Sequence, residues 1–352
     1  MNDKVEKKRG RPRKERSSQD YGPRGIKCSQ LFDLVYLRDE DPLYFMIHDV
    51  SLSSRNKIKR LVANHIAPFF KKYVYASDIT LVEVSGFRSY LEKKRLSAKY
   101  RQDIHSYAKA AFSMLNDIDP GHVYRNVFDS KSLVPIRTNP FEHRTPSFEL
   151  EDIHNLFSRK WKHPLVESMA LFCAYTGARP NEVAALQKED FTIHEEFVEV
   201  FISRNWVPSV RETKGTKTAA GTRHVVLPVK VFKYIKPALF WQEGSLCFSL
   251  DGKTHLSYLT YSKYLNMAMK ENGVRNYQGR GLVMYSFRPF YKSYSSGLPE
   301  ELSNYVMGHS GRGMGDRYWH YQTKLHAPLL AAVTKDLLPL SGTAICGVYL
   351  YG

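Results

Sequence analysis

The segment "MGHSGRGMGDRYWHY", residues 307–321, gathers two tyrosines, two histidines and two arginines within fifteen positions. A phenol becomes a useful nucleophile when a neighbouring group takes its proton and fixed cations stabilise the charge that develops. Tyr318 stands nine residues after His309, and Tyr305 and Tyr321 lie nearby. The same residue types also build ordinary aromatic surface, so both readings are open on this segment alone.

Three earlier segments carry candidates of matching chemistry. In "HPLVESMALFCAYTGARPNEVAAL", residues 163–186, Pro164 can begin a helix, Gly177 can end it and Pro180 suits the first turn of the next. Arg179 is thereby placed at a helix N-terminus, a position that already favours an anion, and Glu182 can orient its guanidinium. In residues 197–228, Val198, Val200 and Ile202 alternate as a strand and "RHVVLP" reads as its return. The Gly- and Thr-rich connection between them holds Lys214 and Lys217, either of which can donate a proton if it enters a groove. The third segment, "GLVMYSFRPFYKSYSSGLPEELSNYVMGHS", contains Arg288 and a helix with Leu302 and Val306 on one side. Gly308 suits the stop of that helix, and His309 projects from the turn.

The elements that must hold these groups follow from composition and periodicity. A chain of 352 residues, 43% hydrophobic, is long enough for two domains with separate cores. The formal charge of +17 favours a polyanion as partner, most simply nucleic acid. Cys28, Cys173, Cys247 and Cys346 show no metal-ligand or disulfide spacing, which fits a reducing compartment and predicts no metal site. No window has the roughly 18 apolar residues of a membrane span, and the first residues lack a secretory h-region. A cytoplasmic, nucleoid or host-DNA-associated location is expected.

Residues 1–24 read as a disordered basic tail. Within it, "KRGRPRK" resembles an AT-hook whose Arg9, Arg11 and Arg13 reach into a narrow minor groove; a generic phosphate-gripping tail is the alternative. Residues 25–118 read as an all-helical bundle. Ile58, Leu61, Val62, Ile66 and Phe69 form one apolar face and Ile104, Ala108, Ala111, Phe112 and Leu115 another, with Lys57, Lys59, Arg60, Lys99 and Arg101 outside as DNA-contact candidates. Four prolines, Pro120, Pro135, Pro140 and Pro146, predict a linker over 119–147, with Ser147 or a near neighbour capping the next helix. A mixed α/β, mainly helical second domain with a small hairpin or sheet is expected over 148–338, followed by an apolar tail over 339–352.

In order and spacing, "TGARPNEV", "TKTAAGTRHVVLP", "YSFR", "MGHS" and "RYWH" resemble the boxes of the tyrosine recombinase, or phage integrase, family. The resemblance covers the second domain and, more loosely, the helices before it. It implies strand exchange through a 3′-phosphotyrosyl intermediate, with Arg179, Arg288 and His309 on the phosphate, Lys217 at the leaving oxygen and Tyr318 as nucleophile. Neither ATP nor a metal is needed, because the phosphotyrosyl bond conserves the bond energy. One box departs from the pattern: Tyr285 stands where the family has a histidine, and an unperturbed phenol is a poor base near neutrality. The resemblance further implies a specific double-stranded recombination site clamped between the two domains, and a homotetramer on DNA. The tail over 339–352 is expected to dock on a neighbouring protomer. An integrase of a virus, plasmid or mobile element is the primary expectation. A Xer-like dimer resolvase and a non-catalytic architectural DNA-binding protein are the alternatives.

Overall fold

The computed structural model describes residues 21–138, 145–216, 218–309 and 320–338. The chain divides into two compact units, residues 1–143 and 144–352. The tail with Arg9, Arg11 and Arg13 and the segment 339–352 lie outside the described residues.

The first unit is built from α1 (Cys28–Phe32), α2 (Leu43–Ile47), α3 (Leu52–Leu61), α4 (Ala67–Phe70), α5 (Leu81–Lys93), α6 (Ala98–Ser113) and α7 (Leu115–Ile118). Both predicted apolar faces are buried from end to end. Between α3 and α4 the helix loosens into a π turn over Val62–Ile66. Pro68 accounts for it: it lacks the N–H that would bond the Asn64 carbonyl, and its ring crowds that carbonyl. Lys94 Nζ donates to the freed oxygen at 3.3 Å. Aromatic rings fill the core, with Phe70 lying 5.0 Å from Phe87 and 5.7 Å from Phe112 between centroids.

The linker expected over 119–147 begins too early in sequence. Tyr124 and Phe128 are buried in the core of the first unit. The Tyr124 hydroxyl accepts from the Ile26 amide at 2.9 Å and donates to Asp119 at 2.6 Å. The prolines break the helical period, but the apolar side chains between them still gain by leaving water.

In the second unit, α8 (Leu150–Leu156) starts at Glu149, whose amide is capped by Asp152 at 2.7 Å. α9 (Pro164–Thr176) follows, every residue from Leu165 to Thr176 buried, and it packs against all the elements around it. Then come α10 (Pro180–Val183), β1 (Phe191–Ile193), β2 (Phe197–Ile202), β3 (Arg204–Val207), β4 (Glu212–Gly215) and β5 (Arg223–Pro228). The unit is completed by α11 (Val229–Leu239), α12 (Tyr258–Glu271), α13 (Phe287–Tyr294), α14 (Glu300–Val306) and α15 (Thr323–Thr334).

The antiparallel sheet has the order β1-β2-β5, with Val198 opposite Leu227 and Ile202 opposite Arg223. β5 is the predicted return strand, but the connection is more than a loop, since β3 and β4 form a separate two-stranded ribbon within it. β5 packs against α9, α11 and α15, and β2 against α11 and α15. Glu199, which alternates with Val198 and Val200 along β2, is buried with them, its carboxylate bonded by Tyr321 and Thr323 at the start of α15. Among the described residues no helix is long and apolar enough to cross a membrane.

Candidate active site

The site gathers at the ends of four elements of the second unit. α9 stops at Gly177, whose φ of +64° is open to glycine at little steric cost. Arg179 then caps α10, a single turn, so the helix itself contributes little dipole there. Glu182 orients the guanidinium as its spacing predicts: its Oε1 accepts from Arg179 Nη1 at 2.6 Å, and its Oε2 accepts from the Arg179 amide at 2.9 Å. The carboxylate is shared, because Arg223 Nη2 also donates to Oε2 at 2.8 Å and Arg223 Nη1 to Oε1 at 3.3 Å.

Arg288, in the first turn of α13, is 3% exposed. Its Nη1 donates to the Gly177 carbonyl at 2.7 Å, its Nη2 to the Met307 carbonyl, and Nη2 lies 3.3 Å from His309 Nε2. The guanidinium therefore joins the end of α9 to the turn after α14. Gly308, at φ +56°, makes that turn as expected, and His309 follows it on the surface. Lys292 Nζ bonds Ser303 Oγ at 2.6 Å and ties α13 to α14.

The electrostatics follow from this crowding. Burial, and then the charges of Arg179 and Arg223, lower the pKa of Arg288 to about 10, against the opposing pull of Glu182 and Tyr285. It remains a cation at neutral pH. His309 is held below the usual histidine range by partial burial first and by Arg288, Arg179, Lys292 and Arg223 after it. Burial pushes the Glu182 carboxyl upward, but the hydrogen bond and charge of Arg223, followed by those of Arg179, outweigh it and keep the group ionised. Three guanidiniums and an imidazole around one carboxylate leave an excess of positive charge, the chemistry of an anion site.

Arg179, Glu182, Arg288 and His309 thus come together, and Tyr285 stands one turn before Arg288, 41% exposed. Lys217 and Tyr318 lie outside the described residues. The alternative lysine, Lys214, pairs with Glu212 at 3.0 Å on β4. Tyr321 is committed elsewhere: its hydroxyl donates to Glu199 at 2.8 Å, and its ring stacks on Tyr305 at 4.8 Å. The Tyr305 hydroxyl accepts from the His224 amide at 2.8 Å. The helical candidates Lys57, Lys59, Arg60, Lys99 and Arg101 belong to the first unit. Among the described residues no group of three or more His, Cys, Asp or Glu side chains is placed to hold a metal ion.

Arg223 does not stand out in the sequence, although a signal for it exists. Counting by two from Val225 and Leu227 puts it on their inward face of β5.

A mainly helical unit around a small antiparallel sheet is a fold that this chain shares with solved structures of DNA integrases and site-specific recombinases. Three solved structures carry the comparison. The Tn1549 transposon integrase in complex with transposon right end DNA superposes with a TM-score of 0.60 at 16% identity, over 89% of this chain and 99% of that one. The XerH site-specific recombinase bound to palindromic difH substrate gives 0.57 at 15% identity, over 75% of each chain. A lambda integrase dimer bound to a COC′ core site gives 0.56 at 13% identity, over 84% of this chain and 79% of that one. No family model and no curated protein matches the sequence.

Proposed function

We propose that this chain is a site-specific DNA recombinase that breaks and rejoins strands through a 3′-phosphotyrosyl intermediate. The observation that supports it best is the convergence of Arg179, Arg288 and His309, from three distant segments, on one positively charged site. The solved structures that share the fold are recombinases and integrases bound to DNA.

In this reading the Tyr318 oxygen attacks the scissile phosphorus, and the bond to the 5′-oxygen breaks. Lys217 supplies the proton that the leaving oxygen takes up. Arg179 and Arg288 hold the non-bridging oxygens while charge accumulates on them. His309 is held below its ordinary pKa, so at neutral pH it is an uncharged imidazole that can bond a phosphate oxygen or relay the phenol proton. Tyr285 offers its hydroxyl to the phosphate as a neutral donor. Attack by the 5′-hydroxyl of a partner strand reverses the chemistry and releases Tyr318. Synapsis of two sites calls for four copies, and the basic helices of the first unit and the tail with Arg9, Arg11 and Arg13 grip the duplex.

The test is selection of the preferred site from a DNA library, followed by incubation with a nicked copy of it. The parent should form a covalent adduct and Tyr318→Phe should form none, while binding the site nearly as well. An adduct that survives Tyr318→Phe and disappears in Tyr321→Phe would move the nucleophile. A parent that binds its site and never forms an adduct would leave only an architectural role.

A further inference from the structure

Arg223 takes no part in the chemistry above, yet each of its guanidinium nitrogens is bonded within the protein. Its side chain has no exposed surface and cannot touch a bound duplex. Nε donates to the Val306 carbonyl at 2.6 Å, Nη1 to the Gly221 carbonyl at 2.8 Å, and the two Nη groups fork onto Glu182. These acceptors belong to three separate segments. Val306 ends the helix before His309, Gly221 lies four residues after Lys217, and Glu182 holds Arg179.

Charge counting gives Arg223 a second effect. A lone Glu182–Arg179 pair would be neutral, and the carboxylate would cancel the charge that a phosphate must meet. With Arg223 on the same carboxylate the trio carries one net positive charge. Arg223 and Glu182 are sealed from water, so the excess is presented by Arg179, whose side chain is 33% exposed. The packing is close: a Cβ placed on Gly308 would lie 3.1 Å from Arg223 Nη1. Apolar side chains would fill such a position without the desolvation cost of a buried ion pair.

We infer that Arg223 is a positioning residue for the strand-cleavage reaction proposed above, fixing the Arg179 and His309 segments against its own strand and leaving Arg179 uncancelled. The inference rests on the recombinase reading. A lysine at 223 keeps the charge but cannot form the fork or reach three acceptors in a plane. Displacements of about 1 Å in such a site cost on the order of 10²-fold in rate.

The experiment compares the parent, Arg223→Lys and the paired Glu182→Met/Arg223→Met variant on a nicked selected site. It reads single-turnover adduct formation at saturating protein, site affinity and thermal midpoint. Arg223→Lys should remain folded and bind its site, yet form adduct slower by on the order of 10²-fold. In an Arg179→Lys background the same change should cost clearly less, because part of its effect runs through Arg179. The Met pair removes both buried charges together, so it should fold and bind while cleaving slowly, and it carries the test if Arg223→Lys does not fold. Parent-like rates in either folded variant, equal losses in both backgrounds, or loss of fold in both variants would overturn the inference. A parent that forms no adduct would overturn the recombinase reading and this proposal with it.

Discussion

The two units use positive charge in opposite ways. In the first, Lys57 and Lys99 share Asp103 at 3.7 and 3.0 Å while keeping 62% and 64% of their side-chain surface exposed. Arg101 leans on Glu92 at 2.7 Å. The two lysine pairs are screened by solvent and hold little geometry. In the second, Arg223 and Arg288 are buried and bonded to fixed carbonyl, carboxylate and imidazole groups. Mobile surface charge suits a grip on many phosphates, whereas fixed buried charge suits one phosphate at one place.

The sharpest way to break this contrast is Arg288→Ala. It should slow adduct formation by at least about 10² to 10³, with site affinity little changed. Quenched single-turnover cleavage checks it, and a parent-like rate would show that the buried charge does no chemistry.

A buried carboxyl with no arginine bonded to it among the described residues tests the same idea by stability. Glu167 is 3% exposed, and its oxygens meet the Trp161 amide at 3.0 Å and the Tyr234 hydroxyl at 3.3 Å. Burial raises its pKa from 4.5 to about 7, whereas Glu182 between its arginines is lowered. A raised folded pKa means stability present below the unfolded value and lost as pH rises through the folded one. The parent should therefore lose roughly 3 kcal/mol from this group between about pH 4.5 and 7. Glu167→Gln should flatten that loss, and thermal unfolding at pH 5 and pH 8 would reveal it. Parallel pH dependence in parent and variant would refute the assignment.

A third prediction concerns Tyr285, a neutral hydroxyl beside the charged groups of the site. Tyr285→Phe should cost about tenfold or less, the worth of a single hydrogen bond, and Tyr285→His should retain or increase cleavage. A loss as large as that of Arg288→Ala would give Tyr285 a larger role than hydrogen bonding.

The smallest rate effects belong to the first unit. Replacing Lys57, Lys59, Arg60, Lys99 or Arg101 by alanine should weaken binding of all sequences alike and reduce the salt slope by about 0.9 for each phosphate no longer neutralised. Adduct formation at saturating protein should stay at the parent level, and Lys99→Ala should change unfolding free energy by about 0.5 kcal/mol or less. Sequence-dependent weakening of binding in these variants would assign base readout to residues placed here on the backbone.

Much of this arrangement is legible in the sequence because it rests on local rules. Gly177, Pro164 and Pro180 punctuate the α9–α10 break where torsional preference puts them, and the spacing of Glu182 from Arg179 is that of one helical turn. The apolar faces of α3–α4 and of α6 follow the 3.6-residue period. What escapes depends on the meeting of distant segments. Nothing local marks Glu199 as buried; Tyr321 and Thr323, at the start of α15, meet its carboxylate from more than a hundred residues away. The β3–β4 ribbon is short and largely polar, with little period to detect. The period of β5 turns Arg223 inward, but what it bonds is seen only when Gly221, Glu182 and Val306 meet.

Gly177 admits a further conclusion about handedness and volume. Its positive φ alone would tolerate asparagine, the side chain most at ease there after glycine. A Cβ at this position, however, lies 2.6 Å from Tyr291 Cδ1 and 3.2 Å from Met307 Sδ. Tyr291 stands three residues after Arg288 on the same helix, so relieving the collision displaces the turn that aims the guanidinium. The torsion restricts the position to a few side chains and the space excludes those as well, so a substitution at Gly177 would be felt at Arg288.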